Sequence, residues 1–234
     1  MDSCRTVSKN LAIVCFLAVT AAAAYPAAVQ RTPRKTPNKT APKTAEKTVY
    51  DCSLVGFDGK EVPLSSFKGK VLLIVNVASQ SIFKEQIPQL EELQKTYKDQ
   101  GLVVIAVPSN DFGAQEPGTD AEIQKTYTND FHLSFPVFAR ASVRGKDQAA
   151  LYGFLTSDKK GPTSGEVHWS FTKFVVDRTG KVVVRFEPQV APNSPELQAT
   201  LEDVLAGKFK PPAQKGESED TKKGTADRRE GPDR

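Results

Sequence analysis

The sequence predicts an α/β fold in which a mixed central sheet is flanked by helices and preceded by an N-terminal hairpin. Two apolar runs rich in β-branched residues, Val71–Ala78 and Leu102–Val107, are typical of strands buried on both faces. Between them, Gln86–Asp99 places its apolar residues at helical spacing. The later runs Phe171–Val176 and Val182–Phe186 flank a turn and predict a second hairpin. A strand–helix–strand unit that shares a sheet with a hairpin gives a mixed sheet.

Shorter elements complete the predicted fold. The turn signal Asp58-Gly59 lies between two short runs that predict the opening hairpin. Pro195 in a first helical turn and Gly207 beyond the last turn indicate a closing helix. The individual predictions are the hairpin strands Val49–Cys52 and Glu61–Pro63, a helix over Asp120–Asn129 with Asp120 as its cap, a strand over Phe135–Phe138, and helices over Asp147–Leu155 and Ser194–Leu205.

The chain divides into one body with unpacked ends. Its 234 residues fit one domain with tails, and we predict that domain at 48–212. Residues 213–234 are charged and contain no aliphatic side chain larger than Ala, which predicts a disordered charged tail. Residues 25–47 are rich in Thr, Pro, Lys and Ala, which predicts a disordered basic linker. The alternative is a transit-like segment, because transit peptides are basic, rich in hydroxyls and poor in acids.

The first 24 residues have the three regions of a secretory signal peptide. Arg5 and Lys9 precede an apolar run at 11–24, and Ala22 and Ala24 give a small-x-small cleavage pattern. An apolar run of this length is short for a membrane span, so no membrane span is predicted. We expect the secretory pathway or the extracellular space, with a plastid reached through a bipartite leader as the alternative.

The distribution of charge argues against nucleic-acid binding. The formal net charge is +4, but residues 1–47 carry +6, residues 213–234 carry zero and the body between them carries −2. A nucleic-acid-binding domain places its basic side chains on the folded body. We therefore expect no nucleic-acid partner.

Cysteine usage limits the redox chemistry that the chain can perform alone. Of the 3 Cys, Cys4 and Cys15 lie in the predicted leader, so Cys52 is the single thiol expected in the mature chain. No CxxC motif or thiol metal cluster is present, and neither a metal nor another cofactor is predicted. A lone Cys on a predicted strand is most often a small packing residue. The alternative is a reactive or intermolecular thiol.

Three specific stretches of sequence lie in the predicted body. They are KVLLIVNVAS at Lys70–Ser79, GLVVIAVPSNDFGAQEPG at Gly101–Gly118, and WSFTKF at Trp169–Phe174 with DRTGK shortly after it. In this order and at these separations they resemble the glutathione peroxidase family, over a span from about Val49 to Phe209. The resemblance implies a thioredoxin-like fold and the reduction of hydroperoxides in the response to oxidative stress.

The resemblance also implies partners and an oligomeric state. The short link between Leu155 and Trp169 is similar to that of the monomeric, phospholipid-hydroperoxide-like branch of the family. The substrate class implied is peroxide or lipid hydroperoxide. Glutathione or thioredoxin is implied as the reductant only if the chain is active.

The candidate site residues come from the same resemblance. The family's peroxidatic Cys or selenocysteine falls at Ser81, its glutamine at Gln115, its tryptophan at Trp169 and its asparagine at Ser170. Gln115 and Trp169 therefore match the family's four active-site residues, whereas Ser81 and Ser170 depart from them. A further cysteine of the family falls at Ser109, and a loop glutamine falls at Asp111.

Serine at the peroxidatic position removes the expected nucleophile. The family's reaction needs a thiolate that becomes a sulfenic acid, and a hydroxyl oxygen has no stable equivalent of that state. A helix start at Ser81 would lower the pKa of a thiol but would leave serine as an N-cap. Ile82 stands where the family usually has Gly, so we expect backbone strain and narrower access there. A hydrolase-like pair of Ser81 with His168 is an alternative, although no orienting acid or G-x-S-x-G motif is visible.

Three functional hypotheses follow from these residues. The first is a glutathione peroxidase homologue that has lost peroxidase chemistry and persists as a binding or regulatory protein. The second is a residual thiol-dependent peroxidase that uses Cys52 or a recruited thiol. The third is an exported interaction module that uses its charged tails.

Overall fold

The computed structural model describes residues 46–157 and 163–210. The predicted leader, the charged tail and nearly all of the basic linker lie outside these described residues, so their predictions remain untested. In chain order the elements are β1 (Ser53–Val55), β2 (Glu61–Pro63), β3 (Val71–Val77), α1 (Gln86–Tyr97), β4 (Leu102–Pro108), α2 (Asp120–Lys125), α3 (Ala150–Leu155), β5 (Lys173–Val176), β6 (Val182–Phe186) and α4 (Pro195–Leu205).

The central sheet is mixed, as the sequence predicted. Its strand order is β4-β3-β5-β6, and β1 pairs with β2 in a separate hairpin. β3 runs parallel to β4, with Val71 opposite Leu102 and Val77 opposite Pro108. β5 is antiparallel to both β3 and β6. All residues of β3 are buried, because this strand has a neighbour on each side and helices over both faces.

Two apolar cores cover the two faces of the sheet. Val71, Leu73 and Val75 of β3 point into a first core with α1 and α4. The alternating residues Leu72 and Ile74 point into a second core with α3 and the segment before β1. This alternation follows from the period of two along a strand, and it fixes the register of β3. The loops that leave the carboxyl ends of β3 and β4 therefore start from a rigid base.

The closing helix has the predicted caps. The Ser194 side chain accepts a hydrogen bond from Leu197 N at 3.3 Å. Pro195 occupies the first turn, where its missing N–H leaves no intrahelical bond unmade. Gly207 follows the helix with a φ of 68°, a conformation that glycine adopts without steric cost.

Several predicted boundaries are wrong. Val49–Asp51 forms a 3-10 turn, so the opening hairpin starts at Ser53 and Cys52 lies just before it. Phe135–Phe138 makes only a single bridge, between Val137 and Ala106. The helix predicted from Asp147 begins at Ala150. These segments are short, and in each case tertiary packing outweighs a weak local preference.

The predicted helix over Asp120–Asn129 also differs from the structure. Its cap is Thr119, whose hydroxyl accepts from Glu122 N in a capping box. The α-helical part ends at Lys125 and continues as a wider π-helical turn over Thr126–Asp130. Such turns often occur at functional sites, and this one places Tyr127 beside a buried carboxylate.

No helix within residues 46–157 and 163–210 has the length and apolar character needed to cross a membrane.

Candidate active site

Ser81 lies in a tight turn after β3. Its N–H donates to Ala78 O at 3.2 Å, and its carbonyl accepts from Lys84 N at 3.0 Å. The Ser81 hydroxyl accepts from Phe83 N at 3.3 Å, and the residue is 2% exposed. The expectation that Ser81 caps the following helix is wrong, because α1 begins only at Gln86. The helix dipole acts mainly within the first turn, so it contributes little at Ser81.

The turn before β5 brings Ser170 to Ser81. Ser170 is fully buried, and its hydroxyl oxygen lies 2.9 Å from the hydroxyl oxygen of Ser81. Each of these hydroxyls can donate to or accept from the other. Ser81 and Ser170, the two candidate positions that the sequence analysis expected to depart from the family pattern, are therefore direct hydrogen-bonding partners.

Backbone strain at Phe171 accompanies this turn. Phe171 has a φ of 67°, which is costly for a residue with a side chain. Asn76 of β3 holds the turn through two hydrogen bonds. Its backbone carbonyl accepts from Phe171 N at 2.6 Å, and its side-chain amide donates to Trp169 O at 3.1 Å. Lys173 also holds the turn, since its ammonium donates to Phe171 O at 2.9 Å.

Lys173 is an unusual residue for a strand interior. Its side chain is fully buried, and burial lowers the pKa of the ammonium to about 7, with Glu187 acting in the opposite direction. A buried Lys is rare unless its charge is compensated, so the bond to the strained carbonyl indicates a positioning role.

Gln115 reaches the site from the loop after β4. Its carbonyl accepts from Gln80 N at 3.0 Å, which ties it to the residue before Ser81. Among the described residues, the buried Gln115 Oε1 atom has no hydrogen-bond partner. A buried amide oxygen without a partner is costly, and a small polar ligand could satisfy it.

Trp169 provides the exposed edge of the site. The residue is 37% exposed, and its indole packs on Phe112 with ring centroids 5.9 Å apart. Arg144 covers the same Phe112 ring, with its guanidinium carbon 4.7 Å from the centroid. The structure thus places Ser81, Gln115, Trp169 and Ser170 on three neighbouring loops.

Comparison with known proteins identifies the scaffold. A family profile for glutathione peroxidase matches residues 49–156. A probable phospholipid hydroperoxide glutathione peroxidase from Helianthus annuus is 50% identical over 139 residues, which cover 59% of this chain and 77% of that protein. The chain belongs to the glutathione peroxidase family.

Two further similarities agree with this assignment. Phospholipid hydroperoxide glutathione peroxidase 1, chloroplastic, from Arabidopsis thaliana is 43% identical over 159 residues, covering 68% of this chain and 66% of that protein. The crystal structure of T. cruzi GPX1 is 30% identical with a TM-score of 0.54, covering 68% of this chain and 97% of that chain. The predicted thioredoxin-like fold and phospholipid-hydroperoxide-like branch are confirmed.

Two other positions of this glutathione peroxidase homologue have structural roles. Ser109 is 1% exposed and donates its N–H to Val77 O at 2.9 Å, which continues the pairing of β3 with β4. The Asp111 carboxylate accepts from Val143 N at 2.6 Å and from the Ser142 hydroxyl at 3.1 Å. Asp111 therefore fastens the Phe112 loop to the segment that carries Arg144.

Ile82 differs from its expectation, and His168 does not form the alternative pair with Ser81. Ile82 is 75% exposed, and its φ is not positive, so the anticipated backbone strain is absent. His168 is exposed. Within the described ranges, the Ser81 hydroxyl is bonded to Ser170 and to Phe83 N, and His168 is not among its partners. The hydrolase-like pair therefore lacks its base.

Cys52 belongs to the second core and not to the site. It is 6% exposed, and burial raises the pKa of its thiol. Tyr50, two residues earlier, donates to Lys70 O and Arg178 O near the amino end of β3, whereas Ser81 follows the carboxyl end. The packing interpretation of Cys52 accounts for these contacts.

The arrangement of described residues limits the possible chemistry. The Ser81 hydroxyl contacts another hydroxyl and a backbone N–H but no imidazole, carboxylate or amine. A serine nucleophile needs an adjacent general base. In the part of the chain that the structure describes, no three His, Cys, Asp or Glu side chains form a possible metal site.

Sequence reasoning missed three residues that shape the site. Asn76 and Lys173 fix the Trp169–Phe171 turn, and Glu116 fixes the loop that carries Gln115. Lys173 had a sequence signal, because it is the one charged residue in an otherwise apolar strand. Glu116 lies in the stretch that carried the family resemblance, but nothing in that pattern shows which residues it contacts.

Proposed function

We propose that this glutathione peroxidase homologue has lost thiol-dependent hydroperoxide reduction and acts as a binding or regulatory protein. The observation that carries the proposal is the buried Ser81 hydroxyl, 2.9 Å from the Ser170 hydroxyl. By resemblance, Ser81 holds the place of the reacting chalcogen. A neutral hydroxyl with a neutral partner occupies the place where a peroxidase needs a thiolate.

The chemical consequence follows from the balance of the family's reaction. In that reaction a thiolate attacks one peroxide oxygen, the oxygen–oxygen bond breaks, and sulfur becomes a sulfenic acid. A second thiol then restores the first. Serine oxygen cannot be oxidised in this way, so Ser81 cannot start the cycle.

The retained part of the site supports binding without turnover. Trp169 keeps an exposed indole, and Gln115 keeps an unpartnered amide oxygen among the described residues. These groups suit a small polar ligand next to an apolar surface. We propose peroxide or lipid hydroperoxide as the ligand class, since relatives are named for phospholipid hydroperoxide. Glutathione or thioredoxin is a partner only if a thiol reaction persists.

A residual peroxidase based on Cys52 has no structural support. The thiol is buried in the second core, and its raised pKa keeps it protonated. A peroxidatic thiol needs a low pKa and access to substrate.

A steady-state assay tests the proposed loss of activity. The mature chain, Ser81→Ala and Cys52→Ser are assayed with hydrogen peroxide and with a phospholipid hydroperoxide, using glutathione or thioredoxin as reductant. A thiol-containing family member serves as the positive control. We expect all three chains to remain at the rate without enzyme. Turnover by the unmodified chain near the control rate would overturn the proposal.

The location and assembly of the protein are further parts of this proposal. We propose that the leader directs the chain to the secretory pathway, or to a plastid through a bipartite leader, and that the mature chain is a monomer. The N-terminus of the mature chain, read by mass spectrometry, tests cleavage. Light scattering tests the monomer. Pull-downs with the full mature chain and with the 48–212 body test whether the charged tails bind partners, as an exported interaction module would require.

A further inference from the structure

A buried carboxylate lies between two loops of the site. These are the loop after β3, which carries Ser81, and the loop after β4, which covers 109–118 and carries Gln115. Glu116 is 1% exposed. Its Oε2 accepts from Ser79 N at 2.8 Å, and its Oε1 accepts from the Ser79 hydroxyl at 2.9 Å. Ser79 stands two residues before Ser81, and Gln115 directly precedes Glu116. One carboxylate therefore binds both hydrogen-bond donors of Ser79, in the loop that carries Ser81.

The π-helical turn supplies the third donor. Tyr127 is fully buried in this turn, and its hydroxyl donates to Glu116 Oε2 at 2.5 Å. Burial raises the pKa of Glu116, and the bonds from Tyr127 and Ser79 act in the opposite direction. The pKa of Tyr127 is raised by burial and by the neighbouring carboxylate, which keeps its hydroxyl a donor.

Two further hydrogen bonds hold the 109–118 loop, one within the loop and one to the loop that carries Ser81. Glu116 N donates to Asn110 Oδ1 at 2.8 Å, which closes the 109–118 loop on itself. One residue along, Gln80 N donates to Gln115 O at 3.0 Å. The same 109–118 loop carries Phe112, which packs against Trp169. Three of the four candidate site positions, Ser81, Gln115 and Trp169, thus depend on how this loop is held.

We propose that Glu116 and Tyr127 are positioning residues that hold the Gln115 loop against the Ser81 loop through Ser79. The inference concerns the frame of the site and does not depend on any reaction at position 81. It can therefore fail separately from the proposed loss of peroxidase activity.

Variants of Glu116 and Tyr127 distinguish the effect of the hydrogen bonds on the loops from the effect of the negative charge. In Glu116→Gln the amide oxygen can accept from Ser79 N and Tyr127, and the amide nitrogen can donate to the Ser79 hydroxyl. Glu116→Met has a similar length but no acceptor. Tyr127→Phe removes one donor only. Tyr152→Phe is the matched control, because Tyr152 is equally buried but its hydroxyl has no partner among the described residues.

The single Trp of the chain provides a local reporter. Acrylamide quenching of Trp169 fluorescence measures indole exposure in the folded full chain. Hydrogen exchange of peptides covering 77–83 and 109–118 measures opening of the two loops. Peptides covering β3 and α4 report on the rest of the body. None of these measurements requires turnover.

We expect Glu116→Met to increase the quenching constant by up to about twofold, because Trp169 is only 37% exposed at the start. Exchange should accelerate in both loops and remain unchanged in β3 and α4. Tyr127→Phe should show the same pattern with a smaller amplitude, whereas Glu116→Gln and Tyr152→Phe should match the natural chain.

Two results would overturn the inference. One is unchanged quenching and loop exchange in folded Glu116→Met or, where that variant does not fold, in Tyr127→Phe. The other is faster exchange that is uniform over the whole body, which would show that Glu116 supports stability and not the site.

Discussion

Ser79 and Ser81 are two serines of one loop, two residues apart, with different surroundings. The hydroxyl and N–H of Ser79 both donate to the buried Glu116 carboxylate. Among the residues that the structure describes, the hydroxyl of Ser81 meets only the Ser170 hydroxyl and the Phe83 N–H. Ser79, which contacts the Gln115 loop, thus has a charged partner, whereas Ser81, the candidate reacting position, has neutral partners.

This difference separates a loop contact made to a charged group from a contact made between neutral groups. Ser79 and Tyr127 donate to the Glu116 carboxylate, and hydrogen bonds to a charged group are stronger than those between neutral groups. Ser81 and Ser170 form a buried pair of neutral hydroxyls, in which each hydroxyl satisfies the other. Under the proposed function, the contacts that hold the loops together are therefore separate from the position at which the reacting atom would lie.

Restoring the reacting pair should have the largest effect. Because Ser81 and Ser170 contact each other, we expect Ser81→Cys with Ser170→Asn to raise the rate of peroxide reduction by about 10²-fold or more, the contribution typical of one positioned catalytic group. The initial rate with hydrogen peroxide and thioredoxin measures this gain.

The single variants are the controls for that gain. Ser81→Cys alone should recover less, since Ser170 does not supply the family's amide. Adding Ile82→Gly should change little, because Ile82 is exposed and its φ is not positive. A double variant that folds but stays at background would show that the frame has diverged.

Lys173 should make stability depend on pH. Its ammonium has a pKa of about 7 in the folded chain against an ordinary value of 10.5. Between these values the unfolded chain binds more protons, so the free energy of unfolding rises with pH. We expect a rise of about 2 kcal/mol from pH 7 to 9 relative to Lys173→Met.

Denaturant unfolding at each pH measures this difference. Lys84→Met, at an exposed position, is the control and should follow the natural chain. If the curves for Lys173→Met and the natural chain run parallel, Lys173 is not held as a buried neutral amine above pH 7.

The two serines should differ in their contribution to stability. Ser79→Ala leaves an oxygen of a buried carboxylate without its hydroxyl donor, and we expect a cost of about 2 kcal/mol. Ser81→Ala removes the partner of two neutral groups, the Ser170 hydroxyl and the Phe83 N–H, and we expect about 1 kcal/mol. Urea unfolding compares them, and equal costs would remove the contrast between the two surroundings.

A double-mutant cycle sharpens the same comparison. Ser81→Ala with Ser170→Ala should cost little more than either single change, because replacing both partners leaves neither hydroxyl unpaired. The coupling free energy should be about 1 kcal/mol. Strict additivity would mean that the 2.9 Å contact contributes nothing to stability.

The smallest effect is expected at Cys52. A thiol reagent should label Cys52 slowly in the folded chain and fast in denaturant, because the side chain is 6% exposed and its pKa is raised. Labelling followed by peptide mass spectrometry measures both rates. Fast labelling of the native chain would show that Cys52 is an accessible, reactive thiol.

The sequence predicted the parts of the fold that long apolar patterns specify. β3, β4 and α1 are close to their expected ranges, since continuous runs and helical spacing are strong signals. The 3-10 turn at Val49–Asp51 and the π-helical turn at Thr126–Asp130 were missed, because they depend on packing and not on local preference.

The sequence offered candidate members of the site but not the contacts between them. The family resemblance named Ser81, Gln115, Trp169 and Ser170, and the structure places them on adjoining loops. The Ser81–Ser170 and Ser79–Glu116 hydrogen bonds join residues that are 89 and 37 positions apart in the sequence. Such contacts follow from the way the loops converge, which a single sequence does not encode locally.

A single-turnover measurement tests the central claim most directly. The reduced mature chain is mixed with an equal amount of hydrogen peroxide without added reductant, and the remaining peroxide is measured over time. We predict no rapid loss of peroxide and no added oxygen at the peptide that contains Ser81. Rapid consumption of one equivalent per chain, retained in Cys52→Ser, would contradict the account.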